Sequence, residues 1–432
     1  MAERTRSEQE LALVETARRV LPAGSFGNMP ADLIIREGRG GRVWDVSGNE
    51  YVDFLLGSGP MFIGHAHPEV VAAVQAQLAQ GFTFFTENEH GIRLAAEIVE
   101  AVPCAEKVRF VSSGTEADAY AMRVARAFRK RDKILKFEGG YHGMSDYSLM
   151  SLSPKRPGNF PQPVPDSPGI PRSVRDEVLI APFNDADLAA SIIAEHHDEL
   201  GGVIVEPFQR LLAPKPGFLQ ALREVTRKYE IPLIFDEVVT GFRFAWGGAQ
   251  EYFGVVPDLC TLGKVIGGGF PLAAIAGRED MMSQFDRAKV GDERFLFQVG
   301  TLSGNPVAAA AGLATLGVLK RPGSYEKVFA TGRTLMDGIA RIVRDARLPA
   351  QVIGAPVMFD IVFTDREVHD YRGVLTANAE MAKRFTRAVR ERGVLKSDGK
   401  CYVSLAHDAV DVRQTLDAFA AAAEQEARAL AH

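Results

Sequence analysis

Two spacings of apolar residues alternate through the middle of the chain. Short apolar runs occur at Val108–Val111, Lys133–Phe137, Val178–Ile180, Val203–Val205, Leu233–Phe235, Leu259–Leu262 and Leu272–Ala276. Between them lie stretches in which apolar residues return every three or four positions. These include a long one ending near Arg131, then Asp187–His197 and Phe218–Tyr229. The runs read as strands buried on both faces and the longer stretches as amphipathic helices. Such alternation from about residue 105 to 275 predicts an α/β fold with a mostly parallel sheet flanked by helices.

The flanks have a different pattern. Residues 8–20 have helical spacing, stopped by Leu21-Pro22-Ala23-Gly24. Val43–Val46 and Tyr51–Phe54 flank a Ser-Gly-Asn turn and predict a hairpin, followed by helices from about Glu69 to Leu78 and over 92–102. Past the strand at Leu272–Ala276, a helix over Arg278–Phe285 and an Ala-rich helix ending near Leu319 follow. Arg321-Pro322-Gly323-Ser324 punctuates the chain. Beyond it the pattern predicts a helix from about Tyr325 to Val343, strands around Val352–Phe363, a helix Ala379–Arg392, a strand Tyr402–Leu405 and a last helix Val412–Leu430. The organisation expected is an N-terminal segment 1–75, a large domain 76–321 and a C-terminal α+β domain 322–432. Residues 151–176 hold seven prolines and little periodicity. A loop that long inside a compact domain is usually functional.

Composition narrows the class. The 432 residues exceed one simple core, and 46% hydrophobic with 24% charged residues suits a soluble globular protein. A net charge of −5 without a basic block argues against nucleic acid as a partner. Cys104, Cys260 and Cys401 are dispersed, which fits a reducing cytoplasm and supplies no metal site. The polar start MAERTRSEQE is no signal peptide, and no apolar run approaches the ~20 residues that span a bilayer.

Candidate chemistry sits at strand ends. Leu233–Phe235 runs into Asp236 and Glu237, and Leu259–Leu262 into Gly263, Lys264 and the glycines Gly267–Gly269. Ligands of open α/β sheets bind at the C-terminal ends of strands. A carboxylate and an amine delivered there need a partner. A cofactor with a cationic ring nitrogen and an aldehyde satisfies both. Pyridoxal phosphate (PLP) is such a cofactor: Lys264 would form the Schiff base, Asp236 would keep the ring nitrogen protonated, and Val238 would pack under the ring. Ser112-Ser113-Gly114-Thr115-Glu116-Ala117 opens the long helix. It reads either as an anion site on a helix N-terminus, or as plain capping by Ser113 or Thr115 with Glu116 and Asp118 complementing the dipole. Tyr141, just past a strand end, reads as a stacking aromatic or as a core tyrosine. His65 and His67 form an i, i+2 pair with no third ligand nearby, so a packed turn is expected there and no metal.

The stretch LIFDEVVTGFR…PDLCTLGKVIGGG closely resembles the signature of the class III aminotransferases, a fold-type I PLP family. GPMFIGHAHPEV and GTLSGNP are similar to the glutamate-1-semialdehyde aminomutase branch. The resemblance implies a smaller α+β domain built from the N- and C-terminal segments. It implies phosphate contacts at Ser113, Gly114 and Thr115, Tyr141 over the pyridine ring with His142 packed nearby, and Glu206 near the ring hydroxyl. It also implies that Thr301 reaches the phosphate of a neighbouring subunit, hence a homodimer, although GTLSGNP also reads as a loop that caps a helix. The catalytic set expected is Lys264, Asp236 and Glu206.

The chain departs from the aminomutases at Ser58, where they carry tryptophan. It departs again in GSFGNMPADL, which lacks their carboxylate-binding arginine, and in VLKSDGKCYVSL, which lacks a glutamate; Ser404-Leu405-Ala406-His407 is kept. Arg36, Arg210, Lys396 and Lys400 are candidates for the missing carboxylate anchor. The expected activity is intermolecular transfer of an amino group from an amine or a β- or ω-amino acid to a keto acid or aldehyde. The alternatives are an intramolecular aminomutase or another PLP reaction, and a non-catalytic PLP-binding protein.

Overall fold

Seven apolar strands form one sheet at the centre of the larger of two units. They are β1 Lys107–Val111, β2 Lys133–Phe137, β3 Val178–Ala181, β4 Leu200–Val205, β5 Leu233–Glu237, β6 Leu259–Leu262 and β7 Ala273–Gly277. Their order across the sheet is β1-β7-β6-β5-β4-β2-β3. β2, β3, β4, β5 and β6 pair in parallel. β7 runs antiparallel to both β1 and β6, so the other six strands point the same way. The computed structural model describes residues 4–29 and 32–430.

Helices cover the sheet because their apolar stripes match it. The helices that matter for the site are α1 Gly114–Arg129 and α2 Pro306–Leu319. Ala117, Ala121, Val124 and Ala125 of α1, spaced for one helical face, are fully buried against Ile134, Ile204, Ile234, Leu259 and Ile275 of the sheet. Burial contributes about 0.8 kcal/mol per methyl-sized group and about 1.5–3 kcal/mol for each larger aliphatic side chain, which holds the N-terminus of α1 at a fixed height above the sheet. The glycines after Lys264 serve a turn that packs on α2. Gly268 has φ +56, and a Cβ there would lie 2.6 Å from the carbonyl oxygen of Ala311.

The two units are 68–325 with 366–377, and 1–67 with 326–365 and 378–432. The predicted strands and long helices are present, with ends shifted by a few residues. Three features were not anticipated. Ile35–Arg39 is a strand paired with Arg42–Asp45, Val394–Leu395 is a short strand parallel to Glu50–Asp53, and residues 366–377 belong to the larger unit. There Arg372 forms an ion pair with Glu138 at 2.8 Å, and Tyr371 lies against Gly139.

In the smaller unit His65 Nε2 lies 2.7 Å from Asp53 Oδ2, which makes it part of the packed turn after the hairpin. The Ser-Leu-Ala-His segment holds the same turn: Ser404 Oγ donates to the carbonyl of Phe62, and the His407 ring stacks 4.4 Å from that of Phe54.

Candidate active site

The common polarity of the strands brings five C-terminal ends to one edge of the sheet. β1 leads to Ser113, β2 to Tyr141 and His142, β4 to Glu206, β5 to Asp236 and β6 to Lys264. Asp236 lies beside Thr261 in the β5–β6 register, so Lys264 follows only three residues beyond. Lys264 opens a 3-10 turn with φ +47, a left-handed value that costs a side-chain-bearing residue about 1–2 kcal/mol. Strain of this kind collects at functional sites.

Asp236 is the hub of a buried polar group. His142 Nδ1 lies 2.8 Å from Asp236 Oδ2, and the Val238 N–H donates to Asp236 Oδ1 at 3.1 Å. The Thr261 hydroxyl is 2.6 Å from Asp118 Oδ1 and 3.3 Å from Asp236 Oδ1. Asp118 is therefore turned inward and buried, where the capping reading had it complement the helix dipole. Burial pushes its carboxyl well above the carboxylate range and the charge of Asp236 adds to this, while the Thr261 hydroxyl and Lys264 act against it. Asp118 is thus the neutral acid of the pair. His142 Nε2 is buried without a hydrogen-bond partner, and His142 does more than the packing expected of it.

The ligand atoms of Asp118, His142 and Asp236 lie within 4.8 Å of one another, a spacing a metal ion could use. They are already hydrogen-bonded among themselves and with Thr261, which suits a cationic N–H better than a metal shell.

The other expected residues surround this hub. Ser113 caps α1 by accepting the Glu116 N–H at 3.3 Å, while Glu116 Oε2 reaches back past the cap to accept the Ser112 N–H at 2.7 Å. Thr115 Oγ1 accepts the Met144 N–H at 3.2 Å, which ties the helix start to the loop after His142. A Cβ on Gly114 would meet Val238 Cγ1 at 2.9 Å, and one on Gly263 would meet the same atom at 3.0 Å. Val238 is therefore wedged between the helix start and the residue before Lys264, although β5 ends at Glu237. The Tyr141 N–H donates to Glu206 Oε2 at 2.9 Å, and the half-buried Tyr141 ring carries the Arg210 guanidinium 5.4 Å from its centroid. Burial raises the Tyr141 phenol, partly offset by Arg210.

Thr301 stands apart from this group. It is exposed in a turn beside Ser303 and makes no side-chain hydrogen bond among the described residues. Glu237 also lies outside it. Its carboxylate accepts the Thr240 hydroxyl at 2.9 Å and the Gln250 amide at 3.0 Å, a structural role.

A family model of class III aminotransferases matches residues 24–422. The chain belongs to the class III aminotransferases. An omega-transaminase from Sphaerobacter thermophilus is similar at 38% identity over 97% of this chain and 98% of its own, with a TM-score of 0.91. A transaminase with PLP bound is similar at 30% identity over 98% and 100%, with a TM-score of 0.89. A glutamate-1-semialdehyde aminomutase from Pseudomonas aeruginosa PAO1 is similar at 25% identity over 96% and 94%, with a TM-score of 0.85.

In this class III aminotransferase the expected residues Glu206, Asp236 and Lys264 do stand at strand ends, while the contacts of Asp118 and Thr261 with Asp236 were not anticipated. Both lie on elements whose apolar pattern had already explained them. The signal available was the fourth-residue spacing of Ala117, Ala121 and Ala125, which places Asp118 next to the buried face.

Proposed function

We propose that the chain is a PLP-dependent aminotransferase that moves an amino group from an amine or a β- or ω-amino acid to a separate keto acid or aldehyde. The observation that carries the reading is the meeting of Asp236, Lys264 and the capped start of α1 at adjoining strand ends. The residues fit the cofactor: the slot floored by Val238 is too tight for a Cβ at Gly114, and Asp236 keeps its carboxylate beside a partnerless buried His142 nitrogen. PLP, when bound, supplies an aldehyde that condenses with amines and a cationic ring that withdraws electrons from the carbon being deprotonated.

The chain's own groups do the rest. Asp236 would hold a proton on the ring nitrogen, and His142 orients that carboxylate through Nδ1. The backbone of Ser113, Gly114 and Thr115 offers N–H donors and a dipole to the phosphate. Tyr141 would cover the ring, and Glu206, which accepts the Tyr141 N–H, would face the ring hydroxyl. Lys264 Nζ would hold the cofactor aldehyde and would move a proton to and from the substrate carbon.

Transfer between two substrates is preferred over a mutase because Ser58, GSFGNMPADL and VLKSDGKCYVSL lack the aminomutase residues. The similarity to an omega-transaminase supports the same choice. We place the enzyme in the cytoplasm as a homodimer. Phe82, Phe85, Phe297 and Val299 are between 59% and 69% exposed in segments joined by the Asn305–Phe82 and Asn88–Gly304 hydrogen bonds, an apolar face next to Thr301.

The test gives PLP-loaded protein a panel of amines and amino acids without an acceptor. Stoichiometric conversion of the cofactor to its amine form, with release of a carbonyl product, is the expected result. Isomerisation of glutamate-1-semialdehyde with no external partner would instead make it a mutase. Failure to bind PLP at all would end the reading.

A further inference from the structure

We infer that Arg210 is the anchor for a substrate carboxylate, so that this site selects amino donors bearing an acid group. The inference rests on the aminotransferase reading above and names its substrate class. Arg210 is the first central residue of a two-residue hairpin closed by Gln209 and Leu212, whose backbone groups exchange hydrogen bonds at 3.1 and 2.7 Å. Its φ is +59, the value that ordinarily calls for glycine at such a position. An arginine held there is strained, and the turn is not free to relax. Gln209 is 1% exposed, and its Nε2 donates to the carbonyl of Glu138 at 2.8 Å. Leu211 and Leu212 are buried.

Arg210 lies four residues after Glu206, and the turn projects its guanidinium over Tyr141, whose backbone is bonded to Glu206. Arg210 is exposed and makes no ion pair among the described residues. A guanidinium resting on an aromatic keeps its N–H edge open for a planar, two-pronged acceptor, and a carboxylate is the commonest such group. One rival is already engaged. Lys396 is 4% exposed and lies 3.0 Å from Asp360 Oδ2, with further bonds to Thr386 Oγ1 and the Ser397 carbonyl.

The test compares the holoenzyme with Arg210→Asn and Arg210→Lys. Asparagine tolerates a positive φ, so the turn is kept. The dead-end ligand 3-phenylpropanoate and its neutral amide are titrated by calorimetry. KM and kcat are then measured for 3-amino-3-phenylpropanoate and for 1-phenylpropylamine, which has the same skeleton without the charge. The expected result is a weakening of the carboxylate ligand, and a rise in KM of the acid donor, of about tenfold to a hundredfold in Arg210→Asn. Arg210→Lys should recover part of this, and the neutral ligand and amine should be unchanged within about twofold.

Equal loss for charged and neutral compounds, no loss for either, or no binding of the carboxylate by the unaltered enzyme would overturn the inference. So would loss of PLP absorbance in Arg210→Asn alone, which would assign the residue to the cofactor. Absence of that absorbance in the unaltered protein is a separate failure, that of the aminotransferase reading.

Discussion

Lys396 and Lys264 both follow short strands, one in each unit, and they are treated in opposite ways. Lys396, after Val394–Leu395, is buried with three acceptors within 3.1 Å, one of them the carboxylate of Asp360. Burial alone would lower its basicity, yet Asp360 carries it above the ordinary lysine value, and burial raises Asp360 in turn. That charge is complete without any ligand. Lys264 sits half-buried on a left-handed turn, next to a cluster in which Asp118 is kept neutral and a histidine nitrogen has no partner. A finished ion pair is architecture, and an unfinished polar cluster held by strain is a place for chemistry.

The largest expected effect is Lys264→Ala. Turnover should fall by about a thousandfold or more, with the melting temperature of the apoprotein unchanged within a few degrees. Ordinary turnover in that variant would erase the contrast. Next comes Lys396→Met, which strands Asp360 and should cost about 3–5 kcal/mol in urea unfolding while leaving kcat of the folded enzyme intact. If kcat drops and stability holds, Lys396 belongs with the site instead.

Lys136 sharpens the comparison through pH. It is 1% exposed, donates to the carbonyls of Gly140, Ser148 and Met150, and burial lowers its pKa to about 8. The unfolded chain, with a lysine pKa of about 10.4, binds more protons between these values. Stability therefore rises with pH from about 8 to 10.4. Measured against Lys136→Met, the gain should approach 3 kcal/mol across that window, and a flat difference would mean the amine is charged throughout. The smallest effect belongs to Asp118→Asn, which replaces a neutral acid by a neutral amide. It should change stability by less than about 1 kcal/mol and PLP affinity by less than about fivefold, whereas an ionised Asp118 would make both changes larger.

How far this was legible depends on where each residue sits. Asp236, Lys264 and Glu206 end apolar runs, and Ser113–Thr115 opens a periodic helix, so the switch in pattern marks them. Asp118 has no such mark, because an acid in the first turn of a helix is what the dipole favours anyway. Its inward turn follows from its place beside Ala117 and Ala121 on the face that meets β6. Lys396 stood among the candidate carboxylate anchors because nothing in the sequence marks Asp360 as its partner. The reversal of β7 was invisible too, since an apolar strand has the same composition in either direction. The stretch 366–377 has neither period, and its place is set by the Arg372–Glu138 ion pair, the Tyr371 ring against Gly139, and hydrogen bonds with Pro154, Gly158 and Asn184.

That excursion and the split smaller unit set an order on synthesis. At about 5–20 residues per second, the first 67 residues leave the ribosome well before residues 326–365 and 378–432 exist. The hairpin strand Glu50–Asp53 must then wait roughly ten seconds to a minute for Val394–Leu395 to pair with it. During that interval its hydrogen-bonding edge and the apolar face meant for a later helix are open to solvent and to other chains. The larger unit is likewise incomplete until residue 372 is made, because Arg372 is the counter-charge of Glu138.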